Sequence, residues 1–267
     1  MSRKGKAAES SLRPDFLVGI LFLVALSTLV YALIIGSEHP AARRGEMAYV
    51  AENLALHGEF ADPFPLRQTG ATAAVAPGYA FFMAMLLKVF GQERGGTVIV
   101  VVAALVHGIH AVLLILLSRE VLDDHRPGVW AALLVGLLPT IRFMPAWEAV
   151  FAATGLMGFC LVSMHWMQRD RVSRKKVLLL GMMVGALALL HPAAALIPVL
   201  WMALLFRNGW KDLQNRVVLV ACFGLTMLTV PLPWAIRNRI VLGMPVIKDG
   251  LGWALNASNN DCASSSF

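Results

Sequence analysis

Residues 43–91 read RRGEMAYVAENLALHGEFADPFPLRQTGATAAVAPGYAFFMAMLLKVFG. Two amphipathic segments stand out. In the first, residues 44–57, Met47, Val50, Ala51 and Leu54 recur at helical spacing. The second opens at Pro77, a residue suited to the first turn of a helix, and runs to Phe90. A polar connector joins them. Connections longer than about 15 residues are as a rule functional or disordered, so the side of the molecule on which this stretch lies decides how the whole chain is threaded.

On both sides of it the sequence is apolar. The chain has 267 residues, of which 58% are hydrophobic and 15% charged, against roughly 25% charged in soluble domains. That composition predicts an all-α integral membrane protein, a polytopic bundle of about seven transmembrane helices. Seven runs suit a bilayer core of about 30 Å: 16–36, 97–118, 127–141, 149–167, 177–190, 193–206 and 217–236. The formal charge of +7 would suggest nucleic acid in a soluble protein. Here it follows from the enrichment of Lys and Arg in cytoplasmic loops, and no nucleic-acid partner is expected. The basic start, residues 1–15, precedes an apolar run longer than the core of a cleaved signal, and reads as a cytoplasmic tail before a retained signal-anchor. Cys160, Cys222 and Cys262 are scattered, with neither disulfide nor metal spacing.

Residues 77–90 are the ambiguous segment, and counting basic residues decides between two topologies. If they lie on the membrane without crossing, 14 of the 23 Lys and Arg fall on the side of the N-terminus. If they cross, only 10 do, and the basic stretch QRDRVSRKK moves outside. The first arrangement fits the positive-inside rule. It predicts a transmembrane domain over 16–236, a long extracytoplasmic loop over 37–95 that carries two surface helices, and an extracytoplasmic tail over 237–267. The N-terminus is cytoplasmic, and the membrane is expected to be a bacterial inner (plasma) membrane.

Few ionisable residues on the outer side offer chemistry. Glu46 begins the first amphipathic segment. It reads either as a solvated acid favoured by a helix N-terminus or as a general base held over the mouth of the bundle. Glu148, after PTIRFMPAW, reads as a helix-start acid or as a functional ionisable group near membrane depth. Arg142 suits an anionic head group or an interfacial anchor, and His191, before Pro192, is within reach of a phosphate. His107 and His110 lie one turn apart, but two His without a third ligand are weak evidence for metal. In the tail, Arg237, Arg239 and Lys248 add positive charge just beyond an apolar run; Arg forks bind phosphate bidentately.

Three blocks in order resemble the GT-C superfamily of membrane glycosyltransferases, and within it the bacterial branch of protein O-mannosyltransferases and aminoarabinose transferases (glycosyltransferase family 39-like). The first is E-x-x-Y-x-x-x-A-E-N-L-x-x-x-G-x-F, from Glu46 to Phe60. The second is T-G-A-T-A-x-x-A-P-G-Y, from Thr69 to Tyr79, followed by K-V-F-G ending at Gly91. The third is P-W-x-I-R-N, from Pro233 to Asn238, followed by G-L-G-W and N-N. The resemblance implies transfer of a sugar from a polyprenyl-phosphate donor to a protein hydroxyl or a lipid or glycan acceptor at the extracytoplasmic face. It implies Glu46 as the base, and substrate contacts from Tyr49, Arg142, Glu148, His191, Arg237 and Asn238. Beyond the lipid-linked donor and the surrounding membrane lipids no cofactor is implied; a divalent metal is left open. The family's first-loop acid usually stands in an Asp-Glu pair, where this chain has Gly45-Glu46. Relatives also continue through more helices, so the chain reads as truncated at its C-terminus. Both departures set a second reading beside the first: a non-catalytic, truncated or regulatory membrane protein that binds polyprenyl lipids.

The topology is open to direct test. Single cysteines replacing Lys88 and Arg174 are expected to react with a membrane-impermeant maleimide from opposite sides of sealed vesicles. Labelling of both from one side rejects the seven-helix threading.

Overall fold

The polar stretch QERGG that follows Gly91 forms no loop. In the computed structural model, which describes residues 13–36, 45–64, 68–137, 148–169, 173–200, 202 and 213–249, helix α3 runs from Pro77 to Leu122 without a connector. It is broken at one residue: Gly91 has φ 79° and ψ 165°, a conformation open to Gly because it lacks a Cβ. The helix restarts at once, so the segment expected at the surface and the span expected after it abut.

The remaining helices are α1 (Pro14–Gly36), α2 (Glu46–His57), α4 (Arg126–Leu137), α5 (Glu148–Arg169), α6 (Arg174–Leu190), α7 (Leu213–Thr229) and α8 (Leu232–Leu242), with a 3-10 turn over Pro192–Ala195. Among the described residues the only pairing of extended backbone is a single bridge, Ala61 with Ala71. Among the described residues three helices are long and apolar enough to cross a membrane, within Pro14–Ala32, Pro77–Leu122 and Glu148–Trp166; the number is four if α7 and α8, bent by 46° where they meet, count as one span. The run 177–190 falls in α6, whose 17 residues come to ~25 Å at 1.5 Å per residue. The runs 127–141 and 193–206 extend beyond the described residues. The run 217–236, expected as one helix, is interrupted at Val230 and Pro231 because Pro231 and Pro233 lack the N–H groups that would continue it.

Two compact units form, Met1–Ala42 with Gly96–Arg171 and Arg43–Gly95 with Val172–Phe267. In the first, Ile20 and Val24 of α1 pack with Ala111 and Ile115 of α3 and Ala132 of α4. Small residues allow close approach: a Cβ on Gly108 would lie 2.5 Å from the Leu21 carbonyl oxygen. The Ser118 hydroxyl donates to the Asp124 carbonyl at 2.7 Å and accepts from the Gly128 N–H at 3.0 Å, closing the turn from α3 into α4. On α1, Ser27 and Thr28 donate back to the Val24 carbonyl, so these hydroxyls are satisfied within the helix as a lipid environment requires. Phe22, Leu23 and Leu26 are left exposed, the pattern of a helix apolar on every side.

The second unit is built on α6 against α7. Gly181 and Gly185 form a small-x-x-x-small pair that brings the helices to backbone contact. An added Cβ on Gly185 would lie 2.7 Å from the Met227 carbonyl oxygen and 2.7 Å from Val230 Cβ. Such pairs are a common means of packing helices in membranes, where lipid is as apolar as Leu. The start of α3 reaches the end of α6 at Gly78, whose absent Cβ would lie 2.9 Å from the Leu189 carbonyl oxygen.

Gly185→Ala is therefore expected to destabilise the protein by about 1–3 kcal/mol through overpacking, read as a lower thermal midpoint in detergent. Gly158→Ala, where a Cβ meets nothing within 4 Å, is the matched control and is expected to leave the midpoint unchanged or raise it.

Candidate functional site

Arg237 gathers the second unit's loop. Its Nη1 donates to the Thr72 carbonyl at 3.1 Å and to the side-chain oxygen of Asn238 at 2.8 Å; its Nη2 donates to the Phe60 carbonyl at 3.2 Å. The guanidinium carbon lies 4.9 Å from the centroid of the Trp234 ring and 5.7 Å from that of Phe60, within the range at which a cation is attracted to an aromatic face. Asn238 is fully buried, and its amide donates to the Val246 carbonyl at 2.7 Å. Trp234 donates its indole N–H to the Ile247 carbonyl at 3.0 Å, and the Asp249 N–H reaches the Ala73 carbonyl at 2.7 Å. The W-x-I-R-N motif thus ties two stretches of loop backbone to one helix, because α8 places Trp234, Arg237 and Asn238 within a single turn.

The loop helps to close itself. Asp62, at φ 52°, accepts the Thr69 and Gly70 N–H groups at 2.7 Å each. Asn53 of α2 donates to the Ala61 carbonyl at 3.2 Å. Backbone bonds from the Asp62 N–H to the Gly70 carbonyl, 3.1 Å, and from the Thr72 N–H to the Phe60 carbonyl, 3.2 Å, flank the Ala61–Ala71 bridge. The two carbonyls held by Arg237 belong to this closure.

Helix α2 rests on the same core. It ends at Gly58, φ 74°, whose N–H returns to the Leu54 carbonyl. Val50 packs with Phe60, Val75 and Ala80, and Met47, Leu54 and Trp234 pack around them. Phe60 meets Trp234 edge-on with centroids 4.6 Å apart. The apolar face of α2 thus packs on protein, against Phe60 and Trp234.

Of the residues singled out in the sequence, Glu46, Tyr49, His191, Arg237 and Asn238 belong to this second unit. Glu46 is exposed at the first turn of α2 and makes no ion pair among the described residues; Tyr49 is half-buried. His191 ends α6, its N–H bonded to the Leu187 carbonyl at 2.8 Å and its own carbonyl accepting from the Ala194 N–H. Glu148 is in the first unit, buried at the start of α5. Arg142 lies outside the described residues. His107 is buried, and His110 pairs through Nδ1 with the Thr154 hydroxyl of α5 at 3.1 Å. No group of three or more His, Cys, Asp or Glu with the geometry of a metal site occurs among the described residues. Asn53 and Asp62 were not expected: Asp62 accepts from residues seven and eight further along the chain, beyond the reach of a local turn signal.

These contacts describe an all-helical protein with membrane-length apolar helices and a loop folded onto one helix end. No protein-family model matches the chain, and no curated protein matches it either.

The clamp predicts its own disruption. Lys in place of Arg237 keeps the charge but not the fork that spans two carbonyls. With hydrogen bonds to charged groups worth about 1.5–3 kcal/mol each, Arg237→Lys is expected to cost at least one such bond. The amide of Thr72 is expected to exchange faster with solvent deuterium, and the Gly58 amide, which caps α2 on its own, at the wild-type rate. Unchanged exchange at Thr72 would show that the loop is held by other means.

Proposed function

We propose that the chain is an integral membrane glycosyltransferase of the GT-C type, facing the extracytoplasmic side of a bacterial inner membrane with its N-terminus in the cytoplasm, and that it transfers a sugar from a polyprenyl-phosphate donor to an acceptor hydroxyl or amine. One observation supports this above the rest. The three blocks that carry the family likeness, the third more than a hundred residues of chain beyond the first two, share one hydrogen-bonded core: Phe60 of the first and Thr72 of the second are both bound by Arg237 of the third. Residues that recur only for separate structural reasons have no need to meet.

In this reading the acceptor oxygen attacks the anomeric carbon from the face opposite the lipid phosphate, and the sugar's configuration inverts. The bond between that carbon and the phosphate oxygen breaks, and its electron pair leaves on the phosphate. Glu46, exposed on the aqueous side of α2, takes the acceptor's proton. Arg237 fixes the loop and presents its remaining N–H groups and its charge to the departing phosphate; His191 is a further phosphate contact. Residues 77–90 lie at the outer surface and guide the donor.

Gly45 in place of an acid favours a second reading: a membrane protein that binds polyprenyl phosphate without transferring the sugar.

Glu46→Gln separates the two. In proteoliposomes supplied with radiolabelled polyprenyl-phosphate sugars, this substitution is expected to lower turnover by about 10²–10⁴-fold, the usual contribution of a general base, while donor binding stays near wild type. Transfer by the variant at the wild-type rate puts the base elsewhere. Donor binding with no transfer even by the wild-type chain, across the panel of sugars, leaves the binding protein.

A further inference from the structure

Helix α8 leaves α7 at a bend of 46° and is followed by a turn at Gly243, φ 79°. We infer that α8 is not the second half of a span but lies along the lipid surface, and that with residues 77–90 it forms a lipid-binding edge that seats the loop on the membrane. The inference extends the surface placement of residues 77–90 in the reading above and does not depend on catalysis.

Both helices show the same pattern. On α8, Leu232, Ile236 and Ile240 are exposed, Ile240 by 78%, with exposed Arg239 beside them. On α3, Phe81, Met85 and Val89 are exposed, Val89 by 68%, with exposed Lys88 beside them. Each is an apolar stripe at positions i, i+4 and i+8 with a basic residue at i+7. In each the opposite face is spent on protein: Asn238 on α8, and Ala80, Met83 and Ala84 on α3, are buried. Trp234 and Phe81 join the two helices, with ring centroids 5.9 Å apart.

Lipid is the occupant that suits this arrangement. An apolar stripe edged by Lys or Arg is the pattern of a helix lying in the interface, where the aliphatic stem of the basic residue covers apolar surface and its head reaches a phosphate. The stripe on α8 continues directly from α7, which with α8 passes as membrane-compatible. Crossing is the poorer alternative. It would carry Arg237, Asn238 and Arg239 toward the hydrocarbon, where ionisable side chains are costly. At the surface, Arg237 keeps its protein acceptors, and Arg239, whose Nη1 donates to the Gly243 carbonyl, still has N–H groups to offer a lipid phosphate.

Depth measurement decides the matter. With the three native cysteines replaced by Ala, nitroxide labels are placed singly at 232, 236 and 240, and at 85 and 89. The chain is reconstituted in phosphatidylcholine–phosphatidylglycerol liposomes, and accessibility to oxygen is compared with accessibility to a water-soluble nickel chelate. Every site is expected to favour oxygen, and the three α8 sites to report similar, shallow depths. A crossing α8 would instead move the label by ~12 Å between 232 and 240, at 1.5 Å per residue, and that gradient overturns the inference. So does a preference for the nickel chelate, which means water, or low accessibility to both reagents, which means a protein partner or a second copy. All five positions are exposed, so loss of folding in one variant leaves the others to decide. Depth is read without sugar transfer: a chain that fails to transfer can still support the inference, and an active chain with a crossing α8 refutes the inference alone.

Discussion

A guanidinium bonded to two backbone carbonyls is the constraint on which the second unit's loop depends. Backbone carbonyls exposed by an irregular loop need partners, and residues 58–64 and 68–76 have little regular structure to supply them. Arg237 takes the Phe60 and Thr72 carbonyls at once, because only Arg offers parallel donors on a rigid plane. Trp234 and Phe60 wall the cation, and Asn238 is held beneath it by its own bond to the tail. Remove the fork, and both loop strands and the returning tail lose a shared anchor. The acceptors are neutral, so the anchor needs no partner that titrates and has no opposite charge for salt to screen.

Much of this architecture was legible in the sequence. The apolar runs announced helices, and the face Met47, Val50, Ala51 and Leu54 marked α2 as amphipathic. Other features were not legible, for identifiable reasons. Helical periodicity shows that α2 has an apolar face but not what covers it; Phe60 and Trp234 pack there. An Arg just past an apolar run reads as a phosphate ligand because charge is visible in sequence and the carbonyls it binds are not. The break before α8 was marked by PLP, but the apolar residues around it make a continuous run, and hydropathy alone does not register a missing N–H.

The site is legible in a more limited way. Order and spacing of three blocks pointed to one region, and contacts among Phe60, Thr72 and Arg237 bring those blocks together. Glu46 is at the edge of that core rather than in it. It is exposed at the first turn of α2, which leaves it open to the aqueous side from which the proposed acceptor would arrive. Glu148 differs: it is buried, and it belongs to the other unit, so the two acids that looked alike in sequence occupy unlike environments.

The backbone contact between α6 and α7 has a consequence for biogenesis. Gly181 and Gly185 are shaped to receive Thr226, Met227 and Val230, which leave the ribosome some forty residues later. Until then α6, only 17 residues long and without the large side chains that would fill its own groove, must wait in the translocon or in lipid with that groove open. The helix pair is therefore completed by its later member, α7, and a nascent chain stalled before Met227 would hold a marginal span that any insertase or quality-control protease able to sense an unfilled groove could distinguish from the finished protein.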